Sequence, residues 1–364
     1  METDDLARLE DLIGDARVVA IGESAHFVRE YTALRHDLIR HFGFTTVAME
    51  SGFSEGLAVR DWIRDGVGDP APDGLTYRFG QSAEMRGLLE HLRATRSDFW
   101  GLDLPGDLGS PGPALDHLDR RAPELRETLS HVRRLTAKFA SAYTIPAFTA
   151  YREMPLIDRD ALTLALAEAG TRFDATPHRR SDDTAINRHE LSLLVLWDQM
   201  LRAQVAAVEG SARHAGLNIR DGAMARTAEW ILGRTPGRLL VLAANSHIQR
   251  RHPAFEVLGS HLSAMLGDDY RAIGVTALTG RVATRRLAPE APAMAETVLV
   301  ELPAPDEGSI ELEGPGLHDT RGSKADKIRL LDSYAVGPVA EAFDAVVCLP
   351  VSTPTEQALW AGGR

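Results

Sequence analysis

Short apolar runs and helical patterns alternate along the first fifty residues. RVVAI at 17–21 and TTVAME at 45–50 are continuous, β-branched runs typical of buried strands. Between them, residues 27–42 place apolar side chains near helical spacing, and Gly43 suits the position after a helix end. A strand, a helix and a strand in this order predict a βαβ unit with parallel strands and a right-handed crossover.

The same patterns continue to the end of the chain. Further strands are predicted at 98–103, 238–244, 271–278 and 345–351. These runs are nearly continuous rather than alternating, which indicates strands covered on both faces. Residues between 107 and 236 are almost wholly helical in pattern, including long one-sided segments at 185–210 and 221–233. A segment rich in Pro, Gly and acidic residues, 303–326, predicts a surface loop.

We therefore predict an α/β fold, with a mostly parallel central sheet flanked by helices. In this prediction, residues 1–106 and 237–364 form the α/β core domain. Residues 107–236 form a large helical insertion, a lobe over the carboxyl-terminal edge of the strands. A chain of 364 residues with 44% hydrophobic residues has enough apolar surface for such a core.

The composition argues against two classes of partner and says little about the substrate. A net charge of −12 argues against nucleic acid or an anionic membrane as the main partner. The acidic N-terminus does not resemble a secretory signal, and no apolar run is long enough for a membrane span. Cys348, the single cysteine, excludes an internal disulfide and lies in an apolar run typical of a buried thiol. The expected location is the cytoplasm, and the sequence does not indicate an oligomeric state.

Polar side chains follow the ends of four predicted strands. They are Glu23, His26, Glu50, Asp103, Asn245 and His247. Parallel strands end at one edge of a sheet, and ligands bind beyond that edge. We therefore expect these residues to converge, although they span more than half of the chain.

Each of these residues also has an ordinary structural explanation. Glu23 suits the dipole of the following helix, and His26 suits a partly buried site beside a backbone carbonyl. Arg35, in that helix, lies either on a solvated face or points back towards Glu50. The other histidines in polar helical patterns are expected at the surface: His36, His41, His91, His117 and His189.

Known catalytic motifs are largely excluded. GESAH at 22–26 lacks the second glycine of a nucleophile elbow around Ser24, and no phosphate-binding glycine motif follows the first strand. His26 and His247 with three carboxylates leave a metal site as a lesser alternative, but no compact metal-ligand motif supports it. We expect no cofactor and no metal.

The stretch VVAIGESAHFVREYTALRHDLIRHFGFTTVAMES resembles the N-terminal signature of the erythromycin esterase family. That signature is Gly-Glu-x-x-His after a strand, then Arg-Glu, an arginine in the next helix and a strand that ends in Glu. The resemblance continues in GLDLPG (101–106), RDGAMARTAEWIL (220–232) and ANSHIQR (244–250). It covers nearly the whole chain and is weakest at 107–180.

The resemblance implies a metal-independent hydrolase of macrolide lactones, with a helical lobe over a deep cleft. It assigns catalytic roles to His26, Glu23, Glu50, Arg35 and His247. We add Arg29, Asp103 and Asn245 as candidates for substrate binding. One position departs from the family, which usually has His-Asn-x-His where this chain has Ala244-Asn245-Ser246-His247.

Three functional hypotheses follow. In the first, the protein hydrolyses an ester or macrolactone: His26 takes a proton from water, with its pKa held near neutrality by Glu23 or Glu50. Arg35 and His247 then stabilise the oxyanion or orient the carboxylates. The second, motivated by Ala244, is a natural-product biosynthetic enzyme that uses the same site for cyclisation, elimination or group transfer. The third is a binding or resistance-sensing protein without chemistry.

Overall fold

A mixed β-sheet of eight strands forms the centre of the protein. The computed structural model describes residues 3–69, 74–214, 216–288 and 291–356. The strands are β1 (Val18–Ile21), β2 (Thr46–Gly52), β3 (Asp98–Asp103), β4 (Leu239–Leu242), β5 (Tyr270–Ala288), β6 (Ala291–Glu301), β7 (Gly316–Asp319) and β10 (Ala345–Ser352). A separate hairpin pairs β8 (Lys327–Leu330) with β9 (Ser333–Val336).

Strand order along the sheet is β3-β2-β4-β1-β5-β10-β7, and β6 pairs with β5. All neighbours from β3 to β10 are parallel, whereas β7 and β6 are antiparallel to their partners. The predicted α/β fold with a mostly parallel sheet is confirmed, and each of the six predicted strands is present. The antiparallel strands and the long β5–β6 hairpin were not predicted.

Helices flank the sheet and fill the predicted insertion. Those before the insertion are α1 (Thr3–Ile13), α2 (Arg29–Phe42), α3 (Phe53–Asp65) and α4 (Ala83–Thr95). The insertion contains α5 (Gly112–Arg121), α6 (Arg126–Thr136), α7 (Thr144–Glu153), α8 (Leu156–Ala175), α9 (Asp182–Val208) and α10 (Ile219–Leu232). After β4 come α11 (Asn245–Ile248), α12 (Leu258–Leu266) and α13 (Val339–Ala342).

Two apolar cores lie on the two faces of the sheet. Val19, Ile21 and Val47 face the core that α1, α2 and α4 cover. On the other face, Val18 and Ala48 belong to one continuous core with the helices of the insertion. The insertion therefore packs directly on the sheet, and the domain boundaries at 106 and 237 stay a prediction.

Helix α9 is the longest of the insertion. In the part of the chain that the structure describes, it is the one helix long and apolar enough to cross a membrane by length and composition. Half of that apolar window is buried inside the protein, and Trp197 and Leu194 are fully buried. These are the features of a core helix, so its length is weak evidence for a membrane span.

Some residues expected at the surface are buried. His189 contacts the Thr227 hydroxyl, stacks on Trp230 and has its pKa lowered to about 3, mainly by burial. His117 is mostly buried against Glu190, with 2.5 Å between Nδ1 and Oε2. These two surface predictions are wrong, because His189 packs against Phe53 and Trp230 and His117 bonds to the buried Glu190. Cys348 is buried as predicted, and burial raises its pKa to about 12.

The predicted surface loop at 303–326 is also partly wrong. It contains a 3₁₀ turn, Ile310–Glu313, and strand β7. Glu311 is fully buried and accepts hydrogen bonds from the Thr276 hydroxyl (2.6 Å) and the Arg329 backbone N–H (2.9 Å). Polar composition predicted exposure here, but two buried donors bind Oε1 of this carboxylate inside the fold.

Candidate active site

Charged side chains from four strand ends meet at the carboxyl-terminal edge of the parallel sheet. Glu23 follows β1, Glu50 belongs to β2, Asp103 is the last residue of β3, and His247 lies in the short helix after β4. Glu23, Glu50 and Asp103 are each at least nine-tenths buried. Their charges are compensated by arginine and histidine side chains, as buried carboxylates require.

His26 and Arg35 bind opposite oxygens of the Glu23 carboxylate. The Nδ1 of His26 lies 2.8 Å from Glu23 Oε1, and Arg35 Nη1 lies 2.9 Å from Oε2. Since a carboxylate only accepts hydrogen bonds, Nδ1 of His26 carries the proton and Nε2 is the basic atom of the neutral ring. This ring is 29% exposed, so it can meet solvent or substrate.

Arg35, by contrast, is 2% exposed. Besides Glu23, its guanidinium donates to the backbone oxygens of Ile21 (3.2 Å) and Ala243 (2.8 Å). Arg35 thus links the Glu23 carboxylate to the backbone at the ends of β1 and β4. Of the roles expected for Arg35, this geometry favours orienting a carboxylate over contact with an oxyanion.

Asn245 holds the backbone beside the site. Its side chain donates to Val275 O (2.9 Å) and accepts from Val275 N–H (3.0 Å), and its own N–H donates to Glu23 O (2.8 Å). A Cβ at Gly22 would lie 1.9 Å from Asn245 Oδ1, so only glycine fits there. Asn245 is 2% exposed and acts as an internal brace between β1 and β5, not as an open binding group.

Glu50 is the hub of the site. The pairing of β2 with β3 shifts register between Met49 and Gly52, an irregularity that re-aims side chains at sheet edges. Glu50 Oε2 accepts the Ala244 N–H at 2.7 Å. Its Oε1 lies 2.9 Å from Arg220 Nη2, 3.2 Å from His247 Nε2 and 4.0 Å from His26 Nε2.

Arg220 and Asp221, at the start of α10, complete this network. Arg220 donates to both oxygens of Asp103: Nε lies 3.2 Å from Oδ1 and 2.9 Å from Oδ2, and Nη2 lies 2.5 Å from Oδ2. Asp221 Oδ1 lies 2.7 Å from Nδ1 of His247 and also accepts the Leu258 N–H at 2.8 Å. The sequence analysis did not name either residue as a site residue, although both open the block at 220–232 that carries part of the family resemblance.

This network sets the charges of the site. Burial lowers the pKa of His247, but Glu50 and Asp221 outweigh it and raise that pKa to about 10, which favours the imidazolium at neutral pH. Burial likewise opposes the charge of Glu50, but His247, His26 and Arg220 hold its pKa well below the usual range. Burial also works against the imidazolium of His26, yet Glu23 and Glu50 raise its pKa above the ordinary value.

A left-handed turn follows Asp103 and borders the site. Gly106, Asp107 and Leu108 have φ angles of 61°, 51° and 63°. Such a run costs energy at non-glycine residues and persists only where its surroundings hold it. Here Glu55 Oε1 accepts the Gly106 N–H (2.7 Å), Thr144 donates to Asp107 O (2.7 Å), and Trp197 Nε1 donates to Leu108 O (2.8 Å).

One predicted binding residue lies apart from this network. Arg29, the first residue of α2, forms ion pairs with Glu84 (3.6 Å) and Glu356 (3.8 Å), and its side chain is 41% exposed. Among the described residues, no group of three or more His, Cys, Asp and Glu side chains is arranged to hold a metal ion. The site is instead a set of ion pairs between carboxylates, arginines and two histidines.

Comparisons with known sequences point to one family. The family model described as erythromycin esterase matches residues 39–350. Erythromycin esterase type II of Escherichia coli is 27% identical, with 97% of this chain and 94% of the relative covered. Erythromycin esterase type I of the same species is 25% identical, with 94% and 92% covered.

A solved structure shares the fold. It is an erythromycin esterase mutant in its open conformation, with a TM-score of 0.82 and 21% identity, covering 97% of this chain and 95% of that one. At this identity the likeness concerns the fold alone. It agrees with the parallel sheet and the helical insertion described above.

Proposed function

Because this chain belongs to the erythromycin esterase family, we propose that it hydrolyses an ester or macrolactone with a water molecule activated by His26. Family membership makes the chain an enzyme of the ester-hydrolase class that acts on a small molecule. The two imidazoles on either side of the Glu50 carboxylate carry the finer proposal. His26 is a base whose ring is partly exposed, and the carboxylates around His247 favour its cationic form at neutral pH.

His26 is the proposed general base. Its Nδ1–H is fixed by Glu23, and Glu23 is fixed by Arg35, so Nε2 points away from both towards the Glu50 side. A water beside Nε2 gives its proton to His26 while its oxygen bonds to the ester carbonyl carbon. The carbonyl π electrons then move onto the carbonyl oxygen and form the oxyanion. No covalent acyl-enzyme is needed in this scheme.

Arg220 and His247 supply the positive charge that the oxyanion needs. Both are held in place before the reaction by Asp103, Glu50 and Asp221, so they need no reorganisation as charge develops. Arg35 and Glu23 orient the base, and Glu50 balances the cations around it. We also propose that Asn245 braces the site and that Asp103 positions Arg220.

The donor set supports chemistry without a metal. Both oxygens of Glu23 and both of Glu50 already accept hydrogen bonds or ion pairs from arginine, histidine or backbone N–H groups. A divalent cation would have to displace Arg220 or Arg35 to reach them.

The acidic composition and the single buried cysteine support a cytoplasmic location.

The direct test is incubation with a panel of macrolides, smaller lactones and simple esters, followed by mass spectrometry. Gain of one water per molecule, unchanged by a chelator, is expected for at least one member. His26→Asn should lower its turnover by about a hundredfold or more, the scale of a lost general base. His41→Asn is the matched control, because His41 lies exposed near the end of α2, the helix that follows His26 in the chain.

Other outcomes identify the two alternative hypotheses. An isomeric product or loss of water would indicate a biosynthetic, non-hydrolytic reaction at the same site. Thermal stabilisation by a ligand without any product, equal in wild type and His26→Asn, would indicate a binding protein. Either result would contradict the proposed hydrolysis.

A further inference from the structure

A cavity of about 520 Å³ opens beside His247, between helix α9 and the start of α10. Arg220, Asp221 and His247 line its inner end. Apolar or small side chains such as Leu108, Met200, Ala203, Ala207 and Val257 form part of its walls, beside the polar Gln204, His214, Asn218 and Ser246. A concave space that combines apolar walls with placed polar and charged groups is typical of a small-molecule site.

Two large apolar side chains of this cavity are open to solvent. Leu217 and Phe255 line it and are 56% and 41% exposed, so both are available for contact with an apolar group in the cavity. The left-handed turn at 106–108 brings Leu108 to the same cavity, and Trp197 fixes the Leu108 carbonyl. Part of this cavity wall is therefore built from backbone in an energetically unfavourable conformation.

His26 and His247 have different surroundings on the two sides of Glu50. Both Nε2 atoms approach the same oxygen, Glu50 Oε1, at 4.0 Å and 3.2 Å. The ring of His26 packs edge-on against Phe79 and Phe27, with centroids 5.4 Å and 6.3 Å away. The ring of His247 lines the cavity instead. The two rings thus border different parts of the site.

We propose that the cavity beside His247 binds the alcohol half of the ester, as an apolar alcohol group, and that residues of α9 set the size it accepts. The inference rests on the proposed function, because it uses the two histidines as base and acid. When the tetrahedral intermediate collapses, the oxyanion electrons restore the C=O bond and the bond from carbon to the alkoxy oxygen breaks. That oxygen keeps the electron pair and takes a proton from Nε2 of His247.

The geometry of this step places the alcohol half. Only the alkoxy oxygen needs the proton, so it has to lie next to His247, and the carbon chain attached to it continues into the space that His247 borders. The acyl half then lies on the side of His26, Phe27 and Phe79. After this step His26 carries the extra proton from the water and His247 lacks one. Transfer of a proton from His26 to His247, through Glu50 or solvent, restores both rings to their starting states.

The experiment uses two series of simple esters with the full-length protein. In the alcohol series, acetate esters carry alcohols from ethanol to 2-naphthylmethanol. In the acyl series, ethyl esters carry acids from acetate to 2-naphthylacetate. The variants are Gln204→Trp and Ala207→Trp. Both residues line the cavity and are exposed on α9, so a tryptophan there should disturb folding little. Leu164→Trp, exposed on α8 of the same insertion, is the control.

In the variants, the ratio of kcat/KM for the largest against the smallest alcohol should fall by about tenfold or more, the scale on which a filled pocket discriminates. The corresponding ratio in the acyl series should stay within about twofold of the wild-type value, and Leu164→Trp should leave both ratios as in the wild type. A loss of selectivity in the acyl series, or no change in either series, would overturn the subsite while hydrolysis itself stands. A wild-type protein that hydrolyses no ester of either series or of the panel above would overturn the proposed function and the subsite with it.

Discussion

Nδ1 of His247 donates a hydrogen bond to Asp221 Oδ1 across 2.7 Å, and the opposite nitrogen of the same ring faces Glu50 at 3.2 Å. A carboxylate on each side favours the charged form of this imidazole although it is mostly buried, and together they raise its pKa to about 10. Asp221 is fixed in turn by the Leu258 N–H and by the Asn218 amide at 2.7 Å. The ring therefore has a defined orientation and a defined charge before substrate binds.

Asp221→Asn should lower the pKa of His247, because one of the two carboxylates that favour the imidazolium is lost. A group that acts as a cation loses activity as the pH rises through its pKa, so the alkaline limb of kcat/KM should move down by about one to three pH units. The measurement is the pH profile of kcat/KM on the best ester. Glu229→Gln, exposed on the same helix, is the control. An alkaline limb that does not move would contradict the role of Asp221.

The acid limb of the same profile should report His26. A general base has to be neutral, so activity falls as the pH drops through the pKa of His26, which Glu23 and Glu50 raise above 6.5 against the effect of burial. We expect a wild-type midpoint above 6.5 and an imidazole resonance with the same midpoint by NMR, absent in His26→Asn. Full activity retained well below pH 6.5 would show that neutral His26 is not required.

Arg35→Leu should cost about 3–5 kcal/mol in the free energy of unfolding, the range for removing one partner of a buried ion pair. The reason is that Glu23 would keep its charge in a buried position, and the carbonyls of Ile21 and Ala243 would lose their donor. Arg40→Leu, at an exposed position of the same helix, should change stability by less than about 0.5 kcal/mol. Urea unfolding of both variants tests this, and equal small losses would show that Arg35 is dispensable for the fold.

The sheet and its functional edge were predictable from the sequence because of a local signal. Continuous β-branched runs mark strands covered on both faces, and parallel strands bring their ends together wherever they lie in the chain. This was enough to bring Glu23, Glu50 and Asp103 to one edge. The same signal did not predict the antiparallel strands β6 and β7, because their sequences mix polar and apolar residues.

Arg220 and Asp221 show where this reasoning stopped. They do not follow a strand; they begin a helix at the end of the insertion, where charged residues usually face solvent. Their partners Glu50 and Asp103 lie 170 and 117 residues away in the sequence. Only the packing of α10 against β3 brings them together, and no periodicity in a single sequence reports that packing. For Arg35, the sequence left two orientations open, and the structure has a third partner, Glu23.

Glu55 differs from the other carboxylates of this region because it has no cationic partner among the described contacts. It lies in the first turn of α3, accepts the Gly106 N–H at Oε1, and is close to Gly52, where a Cβ would lie 2.0 Å from Oε2. Burial raises its pKa to about 7, against the effect of its backbone hydrogen bonds, and the charges of Asp103 and Glu190 add to the rise. Folding therefore favours the protonated form of Glu55.

Glu55→Gln should make the protein more stable at alkaline pH relative to the wild type. The unfolded chain releases the Glu55 proton near pH 4.5, whereas the folded protein holds it until about pH 7, so the free energy of unfolding falls as the pH rises through this window and stays lower above it. Glutamine cannot ionise, and its amide oxygen can still accept the Gly106 N–H. The difference in Tm between variant and wild type should therefore grow from pH 5 to pH 8, measured by thermal unfolding. Glu153→Gln, at an exposed site, should show no such trend, and a difference that shrinks with rising pH would mean that Glu55 is charged in the folded protein.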